Sequence, residues 1–133
     1  MKIVQHDDVF LVKELLKPIW AKANDGQNLS SKQHNWGFLV YEGDEVVGGI
    51  SGYVKRDWFY VDDLVVNPSV QSRGIGEQLI RHSEAYARTL SVVGMHLKTF
   101  SASRFYEKMG FEEFGRLDDY PRGSSLVFYL KRF

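Results

Sequence analysis

The sequence holds no cysteine. That excludes disulfides, thiolate zinc sites and a cysteine acyl-enzyme, and it fits a reducing compartment. Net charge is lacking as well. Seventeen basic and seventeen acidic residues cancel, so no overall field draws the chain to nucleic acid or to an anionic membrane. No apolar run reaches the roughly 18 residues of a membrane span, and the first residues lack a signal-like apolar stretch. The expectation is a cytoplasmic protein with no nucleic-acid partner, no membrane partner and no metal. Prolines number only three. Pro18 falls inside a helical pattern, Pro68 follows an apolar strand, and Pro121 lies in a polar loop.

What is present suits a soluble globule. The 133 residues, 44% hydrophobic and 26% charged, are expected to form a single domain over 1–133 with a substantial core. There is no internal repeat and no low-complexity tract.

Taken in order, residues 2–5 predict a short first strand, and Asp7 or Asp8 can cap the helix after it. Val12, Leu15, Leu16 and Ile19 give that helix an apolar stripe, with a kink or break at Pro18. Residues 24–35 are polar and rich in turn formers, so they read as a loop with room for a short helix. A meander follows: strands over 36–42, 45–55 and 58–66, with turns at Gly43-Asp44 and Arg56-Asp57. Glycines 48, 49 and 52 in the second strand mark a bulge or close backbone approach. The third strand is apolar on both faces and should be central and buried. Asp62 and Asp63 interrupt it. Alternation sends the two to opposite faces unless a bulge intervenes.

The chain is organised around residues 61–76. An apolar strand stops at Asn67-Pro68, and Gln71-Ser72-Arg73-Gly74-Ile75-Gly76 leads directly into a helical pattern over 75–90. Strand, glycine turn and helix start make an anion site. The first helical N–H groups lack intrahelical partners and lie at the positive end of the dipole. Gly74 and Gly76 let a phosphate approach without meeting a Cβ. Arg73, Arg81 and Lys108 offer a local basic patch. The run is not a nucleotide P-loop, which needs G-x-x-x-x-G-K-[ST], nor a dinucleotide fingerprint, whose third small residue is replaced by Leu79. Downstream, 95–99 reads as a strand parallel to its predecessor, 101–109 as a short helix ending at Gly110, 111–116 as a strand, 117–123 as a loop and 124–131 as a last strand.

Two segments carry a resemblance. Gln71-x-x-Gly74-x-Gly76 resembles the Q/R-x-x-G-x-G/A acetyl-CoA signature of the GNAT superfamily of N-acetyltransferases. Phe105-Tyr106-Glu107-Lys108-Met109-Gly110-Phe111, with Tyr106 lying 35 residues beyond Gln71, resembles its F-Y-x-K-x-G-F segment. The likeness runs from the first helix to the last strand. It implies an α/β (α+β) GNAT acyl-CoA N-acyltransferase fold, with a central mixed, mostly antiparallel sheet flanked by helices. It also implies acetyl transfer from acetyl-CoA, as co-substrate, to an amine.

The resemblance assigns roles residue by residue. Gln71, Ser72, Arg73, Gly74, Ile75 and Gly76 would hold the CoA pyrophosphate. The backbone of Leu64, Val65 and Val66 would pair with the pantetheine arm and polarise the acetyl carbonyl. Tyr106 would donate a proton to the departing thiolate, or else only pack against or hydrogen-bond its sulfur. Asp62 stands where many relatives carry a glutamate base. Being shorter, it would act through water, and ordered water alone is the alternative. Asp63 is assigned a structural role. Thr99 replaces an asparagine common in the family, with Ser101 or Ser103 able to make up its hydrogen bonds. With no cysteine, direct attack in a ternary complex is favoured over a covalent acyl-enzyme.

The acceptor is expected to be a small-molecule amine, with a protein or peptide amine, or a non-catalytic acetyl-CoA-binding module, as the alternatives. Its choice falls to the loop after the first helix, where His34 is a candidate contact, to the third strand and to the 117–123 loop. A pocket closed by Tyr53, Trp58 and the 24–35 loop would favour a small acceptor. A homodimer is possible, with the apolar strand at 126–130 either crossing an interface or lying in the core.

Overall fold

A computed structural model describes residues 1–24 and 32–133. The chain divides into two compact units, Met1–Ser30 and Ser31–Phe133.

The first unit is built on one helix, α1 (Val9–Ala23). Asp8 caps it, its Oδ1 accepting from Leu11 N at 3.2 Å, as the sequence allowed. α1 passes through Pro18 without a break. A proline removes one i→i−4 bond, and the turns on either side keep theirs. The strand expected at 2–5 is not formed. Four residues hold an extended conformation only as part of a ladder, and these pair with none of the described strands.

The second unit is a six-stranded sheet with two helices. Its elements are β1 (Gln33–Glu42), β2 (Glu45–Lys55), β3 (Trp58–Val66), a 3₁₀ turn (Pro68–Arg73), α2 (Ile75–Arg88), β4 (Gly94–Thr99), α3 (Ser103–Lys108), β5 (Glu112–Asp118) and β6 (Ser125–Arg132). The strand order is β1-β2-β3-β4-β6-β5. Only β3 and β4 are parallel; every other neighbouring pair is antiparallel. Helix α2 and its 3₁₀ lead-in supply the connection that a parallel pair requires.

The two hairpins sit where the turn residues placed them. Gly43 takes a φ of +62°, and Arg56 and Asp57 take +50° and +68°, the doubly left-handed pattern of a tight hairpin. β1 begins earlier than expected. Gln33, His34 and Asn35 continue the ladder opposite Lys55, Val54 and Tyr53, because an edge strand accepts polar residues as long as its partner offers hydrogen bonds. The rest of the expected loop at 25–31, with the short helix it had room for, lies outside the described residues. His34 is exposed on this strand.

Helix α2 buries Ile75, Leu79, Ile80, Ser83 and Ala87, and the apolar four form one cluster with Phe59, Val61, Met95, Leu97 and Tyr129 of the sheet. Trp36 stacks on Phe59 with ring centroids 4.1 Å apart. The helix ends at Arg88, short of the predicted Leu90. Thr89 donates its hydroxyl to Tyr86 O at 2.6 Å, and Leu90 N bonds back only three residues to Ala87 O. Strand β6 lies between β4 and β5, with Leu126, Val127 and Tyr129 buried. Both its edges are occupied within the chain, so 126–130 is core and cannot pair across an interface.

Glycine is required at 52. A Cβ there would overlap the carbonyl oxygen of Tyr60 and lie 2.8 Å from Trp36 Cζ2. Gly52→Ala is expected to destabilise the protein by about 3 kcal/mol, lowering the melting temperature by roughly 10 °C, as read by thermal unfolding.

A second prediction comes from Glu84. Its Oε1 lies 2.5 Å from Lys131 Nζ and its Oε2 3.3 Å from Arg88 Nε. Lys131 also donates to Met109 O at 3.0 Å, so one ammonium ties α2 to the end of α3. Burial alone would raise the Glu84 pKa; the bonds from Lys131 and Arg88 outweigh it and hold the carboxyl below its ordinary value. The folded state therefore binds this proton less tightly than the unfolded chain. The pair's contribution is complete above the ordinary glutamate value of 4.5 and is lost as pH falls below it through the folded pKa. Glu84→Gln should flatten the acid side of a urea-midpoint-against-pH curve; an unchanged slope would assign the acid loss to other carboxylates.

Candidate active site: a cleft where two parallel strands part

β3 and β4 pair only from Trp58 to Val61 against Gly94 to Leu97. Beyond that point they separate. The cause lies on the other side of β3, in its ladder with β2. Ser51 faces Asp63 and Gly52 faces Val61, leaving Asp62 as an extra, unpaired residue. Such a bulge bends and twists its strand. The bulge is the feature announced by the glycines of β2, but its partner residue is Asp62.

The bulge has two consequences. It takes Asp62 out of the ladder, and Asp62 and Asp63 both border the opening between the strands, Asp63 also bordering a second hollow beside Ser51. It also ends the burial expected for the whole strand. Phe59, Tyr60 and Val61 are buried, while Asp62, Asp63 and Val65 are exposed, because β4 no longer covers that edge. The opening is a cleft of about 410 Å³. Leu64 and Val65 line one side and Lys98, Thr99 and Ser101 the other, with Tyr106 also facing it. Past Val61, the β3 edge that faces β4 has no strand partner among the described residues. Its backbone groups are a ready template for an extended ligand.

The cleft residues differ in their engagement. Ser51 Oγ donates to Asp63 Oδ2 at 3.2 Å. The Thr99 hydroxyl donates to Ser101 O, and Ser101 N donates back to Thr99 Oγ1 at 3.1 Å, so Thr99 closes a local turn. Tyr106 is 8% exposed and packs on Phe111 and Tyr129, with ring centroids 5.9 Å and 6.0 Å away. Burial pushes its phenol pKa up, so the hydroxyl keeps its proton at neutral pH. Tyr60 is raised too, first by burial and then by Asp62, Tyr53 and Asp63.

The glycine turn adjoins the end of β3. Asn67 Oδ1 accepts from Ser69 N at 3.0 Å and opens the 3₁₀ turn, while Gln71 Nε2 reaches back to Val66 O at 3.3 Å. Gly74 takes a φ of +75° and is the N-cap of α2. A Cβ built there would meet nothing within 4 Å, whereas one on Gly76 would touch the Phe105 ring at 3.5 Å. Gly74 is thus open to an approaching ligand, and Gly76 also seats α3. The basic patch expected here is largely neutralised. Arg73 pairs with Glu42 at 2.6 Å and Arg81 with Glu77 at 2.8 Å, and Lys108 acts electrostatically on Glu77. The positive character of the turn therefore rests mainly on the α2 N-terminus.

Sequence reasoning did not single out Tyr60, Lys98 or Phe100 as cleft residues; Tyr120 fell within the 117–123 loop it named without being picked out. They are brought together only by the parting of β3 from β4. Tyr53 and Trp58 do border a common hollow, of about 430 Å³, together with His96. Burial lowers the His96 pKa, favouring neutral imidazole. Among the described residues no group of three or more potential ligands could hold a metal ion, and no helix is long and apolar enough to cross a membrane.

Comparison with known proteins agrees with this geometry. Residues 34–113 match the acetyltransferase (GNAT) domain. The chain is 34% identical over 92 residues to an acetyltransferase of Agrobacterium fabrum, covering 68% of this chain and 67% of that one. It is 35% identical over 85 residues to blasticidin-S acetyltransferase of Streptomyces morookaense, covering 62% of each. The crystal structure of an acetyltransferase from Bacillus cereus superposes with a TM-score of 0.84 at 25% identity, covering 100% of this chain and 99% of that one. A family match that includes both the glycine turn and Tyr106, on a fold shared across the full length of a solved acetyltransferase, makes this chain a member of the GNAT family and an acyltransferase.

Proposed function

We propose that the chain, acting over 1–133 as one N-acetyltransferase domain, moves the acetyl group of acetyl-CoA to the amine of a small molecule by direct attack in a ternary complex. One observation carries the reading. The unpaired edge of β3 and a buried, protonated Tyr106 border one cleft, and the open glycine turn follows on the chain from the end of that edge.

In this reading the N–H groups of 71–76 take the pyrophosphate, and Leu64, Val65 and Val66 pair with the pantetheine arm. A backbone N–H of that run receives the charge that develops on the acetyl oxygen. A primary amine is mostly protonated at neutral pH (about 10.4 for lysine). Asp62, directly or through a water, accepts its proton. The nitrogen lone pair forms the C–N bond, the tetrahedral adduct collapses and the C–S bond breaks; the sulfur takes the Tyr106 proton, and the second proton shed by the acylated nitrogen returns through water to the phenolate. Thr99 is occupied with Ser101, so its hydroxyl oxygen is left for at most a secondary contact with the arm.

A small-molecule acceptor is favoured because blasticidin-S acetyltransferase, by its name, acts on a small molecule. Calorimetric titration with acetyl-CoA tests the reading first, with saturable micromolar binding expected. Thiol release against a panel of amines follows. The chain contains no cysteine, so freed CoA is the sole thiol in the assay. Absence of acetyl-CoA binding would end the acetyltransferase reading. Binding without thiol release for any amine would favour a non-catalytic acetyl-CoA module.

A further inference from the structure

One wall of the cleft is used neither by the cofactor contacts nor by the transfer chemistry. Phe100 and Tyr120 stack with ring centroids 5.8 Å apart and planes only 7° from parallel. Both border the cleft, yet they remain 60% and 50% exposed. Phe100 directly follows β4. Tyr120 stands in a closed turn, where its N–H donates to Ser124 O at 3.0 Å and Ser124 N donates to Pro121 O at 2.9 Å. The two rings lie parallel without full overlap and leave flat aromatic surface in water, which a planar ligand would cover. On the β3 side stand two carboxylates, Asp62 and Asp63. Among the described residues Lys98 is the single lysine or arginine lining the cleft, so the acceptor space favours a cation.

We propose that the cleft selects a primary amine carried on a planar aromatic or heteroaromatic ring. Phe100 and Tyr120 are its ring platform, and Asp62 and Asp63 attract its ammonium. This rests on the acetyltransferase reading above and narrows its acceptor. A straight-chain amine, such as a peptide lysine, would feel the same carboxylates but leave the ring faces wet. Stacking is indifferent to the pattern of ring substituents, so the platform selects for planarity rather than for one compound. The electron-rich ring faces also favour a ring that bears positive charge.

The test compares tryptamine with n-hexylamine as acceptors, by thiol release at saturating acetyl-CoA. Wild-type kcat/KM is expected to favour tryptamine by about tenfold. Phe100→Ala with Tyr120→Ala should bring the ratio near one through a higher tryptamine KM, with the acetyl-CoA Kd unchanged. Tyr120→Phe keeps a ring and should keep the preference. Both side chains are exposed, and the unchanged acetyl-CoA Kd reports an intact fold. A ratio near one in the wild type, a ratio unmoved by the double substitution, or no tryptamine turnover at millimolar concentration would overturn the proposal. So would a weakened acetyl-CoA Kd in the double variant, which would assign the platform to the cofactor. Failure of the wild type to bind acetyl-CoA would instead sink the acetyltransferase reading on which the proposal rests.

Discussion

Tyr106→Phe is expected to reduce kcat by about 10²- to 10⁴-fold, the usual contribution of a positioned general acid, while the Kd for acetyl-CoA stays nearly constant. The substitution removes one oxygen and keeps the ring. The ring is what packs against Phe111 and Tyr129, so α3 and the cleft floor should persist. What disappears is a proton held where a leaving sulfur would depart. An ordinary tyrosine, with a pKa of 10.0, is already protonated at neutral pH, and burial at 106 raises it further. A thiol has a pKa of about 8.5. A proton at this site would therefore remain on the phenol until the C–S bond is well stretched, so the aid is confined to the transition state. The basic limb of the wild-type kcat profile should lie above pH 10.0 if Tyr106 sets it. In the variant that limb should vanish. An unchanged rate would leave Tyr106 a packing residue or a simple hydrogen-bond donor to sulfur.

The second large effect concerns Gly74. Gly74→Glu should weaken acetyl-CoA binding by at least about 100-fold. Two causes act together. At φ +75° a glutamate is strained, by roughly 1–3 kcal/mol. The added carboxylate also enters open space beside the turn. There it would repel a pyrophosphate with about 4 kcal/mol per charge pair at 4 Å and an effective dielectric near 20, and solvent reduces that. Gly74→Asn separates the causes. Asparagine tolerates the left-handed region and carries no charge, so most of the affinity should return. Raising the salt concentration should narrow the gap between the two variants. If Glu and Asn prove equally weak in calorimetry, the added side chain and not its charge is the cause; if neither weakens binding, the pyrophosphate does not sit on this turn.

Much of this molecule could be read along the chain, for local reasons. β2 and β3 occupy their predicted residues, because strand propensity and two turn pairs bracket them tightly. The start of α2 was fixed by Gly74, and the stop of α3 by Gly110, whose φ is +93°. Those signals need only one residue and its neighbours. The misreadings have the opposite character. Whether residues 2–5 form a strand depends on a ladder partner, which no short-range signal supplies. β1 was lengthened by its partner, against the polarity of Gln33 and Asn35. The basic patch was dissolved by Glu42, which reaches Arg73 across 31 positions of sequence.

The sequence by itself determined the order of elements, the glycine turn feeding α2, and the presence of Tyr106 in the segment that follows the last parallel strand. All of these are written in short-range spacing and backbone preference. Tertiary structure alone decided which residues share the cleft. Alternation would have sent Asp62 and Asp63 to opposite faces, and a single extra residue in the β2–β3 ladder put both at its border. The same parting of β3 from β4 brought Phe100 and Tyr120 to that cleft from separate stretches of chain. A bulge depends on the register of two strands and a cleft on the twist of a sheet, and neither quantity belongs to any residue until the strands are paired.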